Sequence, residues 1–182
     1  MAEAEVLDRN HALSGKVFAG SGVAITLAPV AFRLNLRCGS KEQKPVGTAL
    51  GLELPKKPNH SAMVGSRFAL WLGPDEWLVV DPKENPINAL VEVDAIYSGV
   101  DISHRNTALL VSGPAAAELI NSACPRDLSQ DVFPVGHCAR TVFGKVEIVL
   151  FHVRENVYRV EVWRSFADYL FTHLETAARS LD

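Results

Sequence analysis

Short runs of apolar residues, often alternating with polar ones, dominate this chain and are typical of β-strands. In residues 32–37, Phe32, Leu34 and Leu36 fall on one face and the intervening polar residues on the other. Gly73-Pro74-Asp75-Glu76 is predicted to be a turn, with proline at its favoured second position. Strands are predicted over residues 23–27, 32–37, 68–72, 77–80, 100–104, 108–111, 138–143, 146–153 and 157–163.

Helical spacing of apolar residues is confined to three stretches. These are residues 86–93, 115–122 and 166–179. In the last of them, Phe166, Leu170, Leu174 and Ala177 line one face. Strands in hairpin-like runs, interrupted by single helices, predict an α+β fold with antiparallel sheets.

The core is expected to form one domain over residues 21–182, or two closely packed lobes over 21–97 and 98–182. Residues 1–20 are predicted to be a flexible leader, and their acidic first part lacks the apolar stretch of a secretory signal. Residues 39–66 are polar and contain three prolines, which favours a long excursion lying on a partner. No apolar run reaches the roughly 18 residues of a membrane span.

Composition and charge exclude several classes of function. The 182 residues are 48% hydrophobic and 21% charged, which is an ordinary globular balance. The net charge is −3 and no basic stripe occurs, so nucleic-acid binding and attachment to an anionic membrane are disfavoured. Cys38, Cys124 and Cys138 are odd in number and widely spaced, which predicts free thiols in a reducing cytoplasm.

The common catalytic signatures are missing from the sequence. It has no Gly-x-Gly-x-x-Gly, no Walker loop and no nucleophile elbow. His137-Cys138 could form a metal site or a nucleophile with its base, but neighbouring strand residues point to opposite faces. A buried cysteine beside a capped or surface histidine is the favoured interpretation.

A second polar cluster comprises Asp101, Ser103, His104 and Arg105. A Ser-His-Asp triad built from such close neighbours has poor geometry, so a hydrogen-bonded strand edge or a partner contact is favoured. His152 alternates with apolar residues and is expected in the core or at its rim.

Two tryptophans flank the turn at residues 73–76. Trp71 and Trp77 could enclose a flat ligand, which would make the chain a binding module of unknown specificity. A core or interface role is favoured for both.

Residues 162–170 combine a strand end, a helix start and exposed-type aromatic residues. Ser165 and Asp168 have capping-box spacing, with the carboxylate near the positive end of the helix dipole. Trp163 and Arg164 lie just outside this cap, and tryptophan and arginine are common anchors of protein interfaces. No acid, base or nucleophile for catalysis accompanies them.

Several segments in the expected order together resemble the gamma subunit of heterotetrameric sarcosine oxidase. The middle portion also looks like the glycine-cleavage T-protein (aminomethyltransferase) fold. The matching segments are Leu70-Trp71-Leu72-Gly73-Pro74-Asp75-Glu76-Trp77-Leu78, Asp101-Ile102-Ser103-His104-Arg105, Val111-Ser112-Gly113-Pro114-Ala115-Ala116, Cys124-Pro125-Arg126-Asp127-Leu128, Phe133-Pro134-Val135-Gly136-His137-Cys138-Ala139-Arg140-Thr141 and residues 163–170.

The resemblance implies a T-protein-like α+β chain with ferredoxin-like βαβ elements. It also implies a complex that oxidatively demethylates sarcosine to glycine, forming hydrogen peroxide and either formaldehyde or 5,10-methylenetetrahydrofolate. In that family FAD, FMN, NAD and tetrahydrofolate belong to the alpha and beta subunits, zinc belongs to the delta subunit, and the gamma chain holds no cofactor. Its implied partners are therefore the alpha, beta and delta subunits.

The chain departs from active T-proteins in one hairpin. Where they carry a Gly-Gly-Ile-x-Asp-Asp type segment, this chain reads Gly144-Lys145-Val146-Glu147-Ile148, in which only Glu147 is acidic. We therefore expect a non-catalytic structural subunit, with a stand-alone folate-binding or aminomethyl-transferring protein as the alternative. The candidate subunit interface consists of His104, Arg105, Arg140, Trp163, Arg164 and Phe166.

Overall fold

The computed structural model describes residues 13–181. The strands in this range are β1 (Phe18–Ala19), β2 (Ala24–Leu27), β3 (Phe32–Cys38), β4 (Ser61–Val64), β5 (Arg67–Gly73), β6 (Glu76–Asp81), β7 (Tyr97–Asp101), β8 (Asn106–Ser112), β9 (Cys138–Phe143), β10 (Val146–Arg154) and β11 (Val157–Trp163). The helices are α1 (Gln43–Leu50), α2 (Ala116–Asn121) and α3 (Ala167–Ala178), with 3-10 turns at Pro86–Leu90 and Arg164–Phe166.

The strands form two antiparallel sheets. The six-stranded sheet has the order β1-β2-β8-β11-β10-β9, and the five-stranded sheet has the order β4-β5-β6-β3-β7. All the paired strands run antiparallel. The α+β class with antiparallel sheets that the sequence predicts is confirmed.

Both sheets are built on one plan. In the five-stranded sheet, β3 is followed by α1, the meander β4-β5-β6, the 3-10 turn and β7, and β3 lies between β6 and β7. In the six-stranded sheet, β8 is followed by α2, the meander β9-β10-β11 and α3, and β8 lies between β11 and β2. The strand next to β8 in the six-stranded sheet, β2, therefore comes earlier in the sequence than the whole five-stranded sheet.

Three apolar clusters hold these elements together as four layers. One cluster lies between the six-stranded sheet and helices α2 and α3, and a second lies between the five-stranded sheet and α1. The third lies between the two sheets. Strand β10 contributes to two of these clusters because its side chains alternate between the two faces of the sheet. Ile148 and Leu150 face the helices, while Val149 and Phe151 face the other sheet.

Sequence prediction is accurate where the apolar pattern is strong. Strands 138–143 and 157–163 have the predicted bounds, and the final helix is α3 preceded by a 3-10 turn. The predicted helix at 86–93 is a shorter 3-10 turn, Pro86–Leu90, in which the Asn85 side chain accepts a hydrogen bond from the Ile87 amide at 3.2 Å.

The polar excursion predicted over residues 39–66 is wrong for residues 43–50, which form helix α1. Pro45 stands in the first turn, where its missing amide hydrogen is not needed, and Val46 and Leu50 are buried in the second cluster. A Cβ on Gly47 would lie 2.8 Å from the Leu52 carbonyl oxygen, so the chain returns closely over the helix. Gly51 ends the helix at a φ of 69°.

The predicted strand at 100–104 is correct only as far as Asp101 and is wrong for residues 102–104. Strand β7 ends at Asp101, and the amides of Arg105 and Asn106 both donate to the Ile102 carbonyl, which makes a tight turn into β8. The two strands on either side of this turn belong to different sheets. A local strand pattern cannot distinguish a continuing strand from a chain that crosses between layers.

The predicted leader falls partly on residues 1–12, which lie outside the described residues. From residue 13 onward the chain packs against the first cluster, since Leu13 and Phe18 are buried there. Strand β1 pairs with β2 through Phe18 and Ile25. The predicted division between residues 97 and 98 falls within β7, an edge strand of the five-stranded sheet. Strand β2 precedes this division and β8 follows it, yet the two strands pair with each other.

Candidate functional site

One end of the interface between the two sheets brings the candidate residues together. Trp163 is the last residue of β11, and it pairs with Asn106 at the start of β8. This register places the Arg105 guanidinium carbon 4.2 Å from the centroid of the Trp163 ring, within cation–π distance. The Arg164 amide donates to the Arg105 carbonyl at 2.8 Å, so the turn containing His104 and Arg105 is tied to the end of β11.

Aromatic side chains remain accessible at this end. Trp163 is 39% exposed and Phe166 is 43% exposed, with ring centroids 6.1 Å apart. The 3-10 turn Arg164–Phe166 bends the chain between them. Two half-exposed aromatic rings beside exposed arginines form a surface of the type that anchors protein contacts.

Arg140 joins the same site from the edge strand β9. Its Nη2 lies 2.5 Å from Oε1 of Glu76 on β6, and Asn35 Nδ2 donates to the same oxygen at 3.0 Å. Burial by itself would raise the pKa of Glu76, but the hydrogen bonds from Arg140 and Asn35 lower it overall. Glu76 therefore remains ionised and links the two sheets across the layer boundary.

Three of the six candidate residues, Arg105, Arg140 and Trp163, line a narrow gap between the sheets, here named the inter-sheet crevice. Its rim includes Arg105, Arg140, Glu147 and Trp163, and its volume is about 40 Å³. Such a gap holds about one water molecule. Small-molecule sites usually measure several hundred Å³, so the crevice is a surface feature and not a substrate cavity.

The floor of the crevice contains a buried ion network. Arg33 Nε lies 2.6 Å from Oε2 of Glu161, and Arg159 Nε lies 2.8 Å from Oε1 of the same carboxylate. The Glu161 side chain is completely buried, and both arginines are less than a tenth exposed. Burial opposes ionisation of Glu161, but Arg159 and Arg33 together lower its pKa below the ordinary value.

Sequence reasoning missed this network. Arg33 lies on the five-stranded sheet while Arg159 and Glu161 lie on the six-stranded sheet, so their meeting depends on how the sheets stack. One signal was present: Arg159 and Glu161 alternate with Tyr158, Val160 and Val162, which face the helices. Charged residues at alternate positions of a strand that is otherwise apolar indicate a second buried face carrying paired charges.

The cluster at Asp101–Arg105 serves the backbone of the turn. Asp101 Oδ1 accepts a hydrogen bond from the Ser103 amide at 2.8 Å, and Ser103 Oγ accepts one from the Arg33 amide at 2.8 Å. Asn85 donates to the other oxygen of Asp101 at 2.6 Å. These contacts match the expected hydrogen-bonded strand edge.

The predicted capping box at the start of the last helix does not form. Phe166 occupies the N-cap position of α3 without a side-chain hydrogen bond. Asp168 lies in the first turn but forms an ion pair with Lys16 from the N-terminal part of the chain. The prediction failed because the 3-10 turn places Ser165 ahead of the true helix start.

His137 and Cys138 occupy different environments, as their alternation predicts. Cys138 is fully buried between the sheets, its thiol lies 3.3 Å from the His60 carbonyl oxygen, and burial raises its pKa to about 12. The half-buried His137 ring lies 4.7 Å from that of His60. Burial is the main cause that lowers the pKa of His137, and the proximity of His60 is the second. A thiol that stays protonated is not a nucleophile, so this pair cannot perform thiolate chemistry.

The remaining candidates are part of the core. His152 is 1% exposed, its Nδ1 lies 2.8 Å from the Phe133 carbonyl oxygen, and its ring stacks on Tyr158 at 4.3 Å. Trp77 is fully buried and donates from Nε1 to the Pro55 carbonyl at 2.9 Å. Trp71 pairs with Trp77 across β5 and β6 and contacts both neighbouring clusters.

Within residues 13–181, no group of three or more His, Cys, Asp or Glu side chains is arranged to hold a metal ion. None of the helices in the same range has the length and apolar character needed to cross a membrane.

Comparison with known proteins gives a consistent family relationship. The model of the "Sarcosine oxidase, gamma subunit family" matches residues 42–180. Sarcosine oxidase subunit gamma of Corynebacterium sp. (strain U-96) is 32% identical over 157 residues, covering 80% of this chain and 75% of the relative. Sarcosine oxidase subunit gamma of Arthrobacter sp is 30% identical over 147 residues, covering 75% and 71%.

Solved structures show the same relationship at the level of the fold. A chain of heterotetrameric sarcosine oxidase from Corynebacterium sp. U-96, in complex with pyrrole 2-carboxylate, is similar with a TM-score of 0.81 and 28% identity. The similarity covers 93% of this chain and 90% of that one. Glycine cleavage system aminomethyltransferase T from Bartonella henselae has a TM-score of 0.58 at 11% identity, covering 84% and 45%, which shows a shared fold alone.

Proposed function

This chain belongs to the sarcosine oxidase gamma subunit family, and we propose that it acts as a non-catalytic structural gamma subunit of a heterotetrameric sarcosine oxidase. The observation that carries this proposal is the group of exposed aromatic and arginine side chains around the inter-sheet crevice. Their chemistry suits contact with a protein surface, and the crevice between them is too small for a substrate.

The proposed complex oxidises sarcosine with O₂ to glycine and hydrogen peroxide. The methyl carbon leaves as formaldehyde when water is the acceptor, or as 5,10-methylenetetrahydrofolate when the folate is present. In this proposal FAD, FMN, NAD, zinc and tetrahydrofolate reside on the alpha, beta and delta subunits, in the cytoplasm. The gamma chain contributes by holding its neighbours in place, through an interface of about 2,000 Å² or more.

The arrangement of His104, Arg105, Arg140, Trp163, Arg164 and Phe166 supports their role as an interface. Arg105 is held against Trp163 by cation–π contact, and Arg140 is held by Glu76. Side chains that are ordered before binding lose less conformational entropy when a partner covers them. An interface preorganised in this way gains more net affinity from each buried aromatic ring.

The sheet plan supports a finer description of the fold within the proposal. In the five-stranded sheet β3 lies between β6 and β7, and in the six-stranded sheet β8 lies in the same way between β11 and β2. Each meander adds one further edge strand, β4 in the first sheet and β9 in the second. This strand order supports our proposal that each sheet belongs to a ferredoxin-like unit. We assign residues 21–182 to a single domain containing two such units, because the apolar cluster between the sheets takes side chains from both of them, such as Phe68 and Phe151.

The direct test is reconstitution of the complex with Trp163→Ala. Truncating a buried aromatic anchor costs about 2 kcal/mol of binding free energy, or about a 30-fold rise in Kd. The measurement is capture of the other subunits by the tagged gamma chain at graded concentrations.

Tyr169→Ala is the matched control, since Tyr169 is 40% exposed but lies against His173 on α3. Equal capture by the Trp163 variant, the Tyr169 variant and the unchanged chain would remove Trp163 from the interface. Calorimetry of the isolated chain with millimolar tetrahydrofolate addresses the alternative, and a saturable heat would favour a folate-dependent function over the structural one.

A further inference from the structure

The two sheets have four edge strands, and within the described residues three of them are short, covered at one end or charged. β1 contains only two residues. On β4, the Ser61 amide and hydroxyl both bond to the Gly136 carbonyl oxygen, at 3.1 and 2.6 Å. On β9, the Cys138 amide donates to the Asn59 carbonyl at 2.8 Å, and the rest of the strand carries the charged Arg140. Short length, cross-bonding and charge are the usual means of protecting an edge.

Strand β7 is the fourth edge, and its outward backbone groups can be assigned from the register. The Ile102 amide donates to the Arg33 carbonyl at 2.9 Å, which makes that pair a hydrogen-bonded one. Because such pairs alternate in an antiparallel ladder, Ser98 and Val100 bond to β3, whereas Tyr97 and Gly99 point away from it. Among residues 13–181, the backbone groups of Tyr97 and Gly99 have no hydrogen-bond partner.

Two apolar side chains at this edge are accessible to solvent. Ile96 is 85% exposed and Val100 is 54% exposed. Alternation places both on one face, with Ser98 between them. Residues 96–101 contain no lysine, proline or bulge, and the carboxylate of Asp101, their one charged residue, is already bonded to Asn85 and to the Ser103 amide.

Charge defines what this edge can accept. Glu92 and Asp94 precede β7 in the sequence and Asp101 ends it, with no lysine or arginine between them. An incoming strand flanked by basic residues would meet a complementary field. The edge also runs directly into the turn that holds His104 and Arg105, so it is continuous with the proposed subunit interface.

We propose that a strand of a partner subunit adds to β7 in the assembled oxidase. Its backbone pairs with the outward groups of Tyr97 and Gly99, its apolar side chains cover Ile96 and Val100, and lysine or arginine residues flank it. Backbone pairing of this kind gives affinity, while the alternate side chains give specificity. The inference rests on the proposed function and names the manner in which the gamma chain holds its partner.

Hydrogen exchange in the purified complex tests the backbone pairing at single-residue resolution. We expect the amides of Tyr97 and Gly99 to exchange at least about 100-fold more slowly than in an unstructured peptide of the same sequence. The amides of Ser98 and Val100 serve as internal references, because their ladder bonds to β3 protect them with or without a partner. Unprotected Tyr97 and Gly99 amides in the intact complex would overturn the inference.

Thiol labelling tests the coverage of the side chains. Cys38, Cys124 and Cys138 are all buried, so an introduced surface cysteine is selectively reactive in this chain. In the complex, Ile96→Cys and Val100→Cys are expected to react at least about 10-fold more slowly with a maleimide than the control Val30→Cys, which replaces a 50% exposed residue outside the proposed contact. Equal labelling rates at all three positions would overturn the inference.

The outcomes separate this inference from the proposed function. A complex that assembles, responds to Trp163→Ala and yet leaves β7 open would retain the structural role and reject strand addition. Thiol-to-amine cross-linking from Ile96→Cys identifies the occupant, and the expected product joins this chain to a lysine of a different subunit. A product joining two copies of this chain would reject the proposed partner.

Discussion

The two ends of the inter-sheet interface differ in how they are held. At one end Phe68 and Phe151 stack with ring centroids 5.3 Å apart, and Cys138 is buried beside them. At the other end Arg140 pairs with Glu76, and the Trp163 ring is 39% exposed. The first end is buried and mainly apolar, with the Arg159 guanidinium carbon 5.5 Å from the centroid of the Phe68 ring, whereas the second is charged and accessible.

This difference shows which end the chain completes by itself. Burial of apolar surface stabilises the Phe68–Phe151 end without any partner. At the Trp163 end, part of the apolar surface is still in contact with water, so its burial can contribute only to association. The same pair of sheets thus provides a self-sufficient core and an incomplete surface.

The largest expected effect comes from the apolar end. Phe151→Ala should lower the free energy of unfolding by about 4 kcal/mol, because it removes a buried ring and leaves a cavity between the sheets. Denaturant unfolding of the isolated chain measures it, with Phe166→Ala as the control at the exposed end. A loss below about 1 kcal/mol for Phe151→Ala, within the range of a surface change, would refute the contrast between the two ends.

The buried ion network at the floor of the inter-sheet crevice should have the next largest effect on stability. Glu161→Gln should lower the free energy of unfolding by about 3 kcal/mol, since it leaves Arg33 and Arg159 buried without a counter-charge. The same denaturant experiment applies.

The control for Glu161 replaces the whole network. Glu161→Leu combined with Arg33→Met and Arg159→Met should recover much of the loss, because no unpaired buried charge remains. If the triple variant is less stable than Glu161→Gln, the network stabilises the fold beyond charge pairing, and an unpaired buried charge does not account for the loss.

Substitutions at the Trp163 end should change the free energy of unfolding less than those at the buried positions. Arg140→Ala should cost about 0.5–1 kcal/mol, because the pair with Glu76 is partly exposed to solvent. The cost should shrink in 1 M salt, where charges are screened over about 3 Å. A salt-independent loss of several kcal/mol would place Arg140 among the core contacts.

The pH dependence of stability offers a small effect near the apolar end. Burial, His60 and Arg126 hold the pKa of His137 below its ordinary value of 6.5, so the unfolded chain takes up a proton more readily than the folded one. The free energy of unfolding should therefore fall as the pH drops below about 6.5. His137→Gln should flatten that part of the profile, and an unchanged slope would assign it to other groups.

The residues show why prediction succeeded for some elements and failed for others. The apolar repeats in β9, β10 and β11 are strong enough to set their bounds locally. Helix α1 was missed because Pro45 and Gly47 lower its apparent helix propensity, while Val46 and Leu50 gain their stability from packing on the sheet. The capping-box prediction at Ser165 fails because the local sequence does not distinguish the 3-10 turn Arg164–Phe166 from the first turn of the α-helix.

By itself the sequence determined the antiparallel α+β class, most strands and the residue types suited to an interface, because these depend on neighbours along the chain. Only the tertiary structure decided that turn 104–105, strand β9 and the end of β11 share one crevice. It also brought Arg33 to Glu161, 128 residues away. Such meetings depend on sheet register and on the stacking of two layers, and both are set by burial over the whole chain.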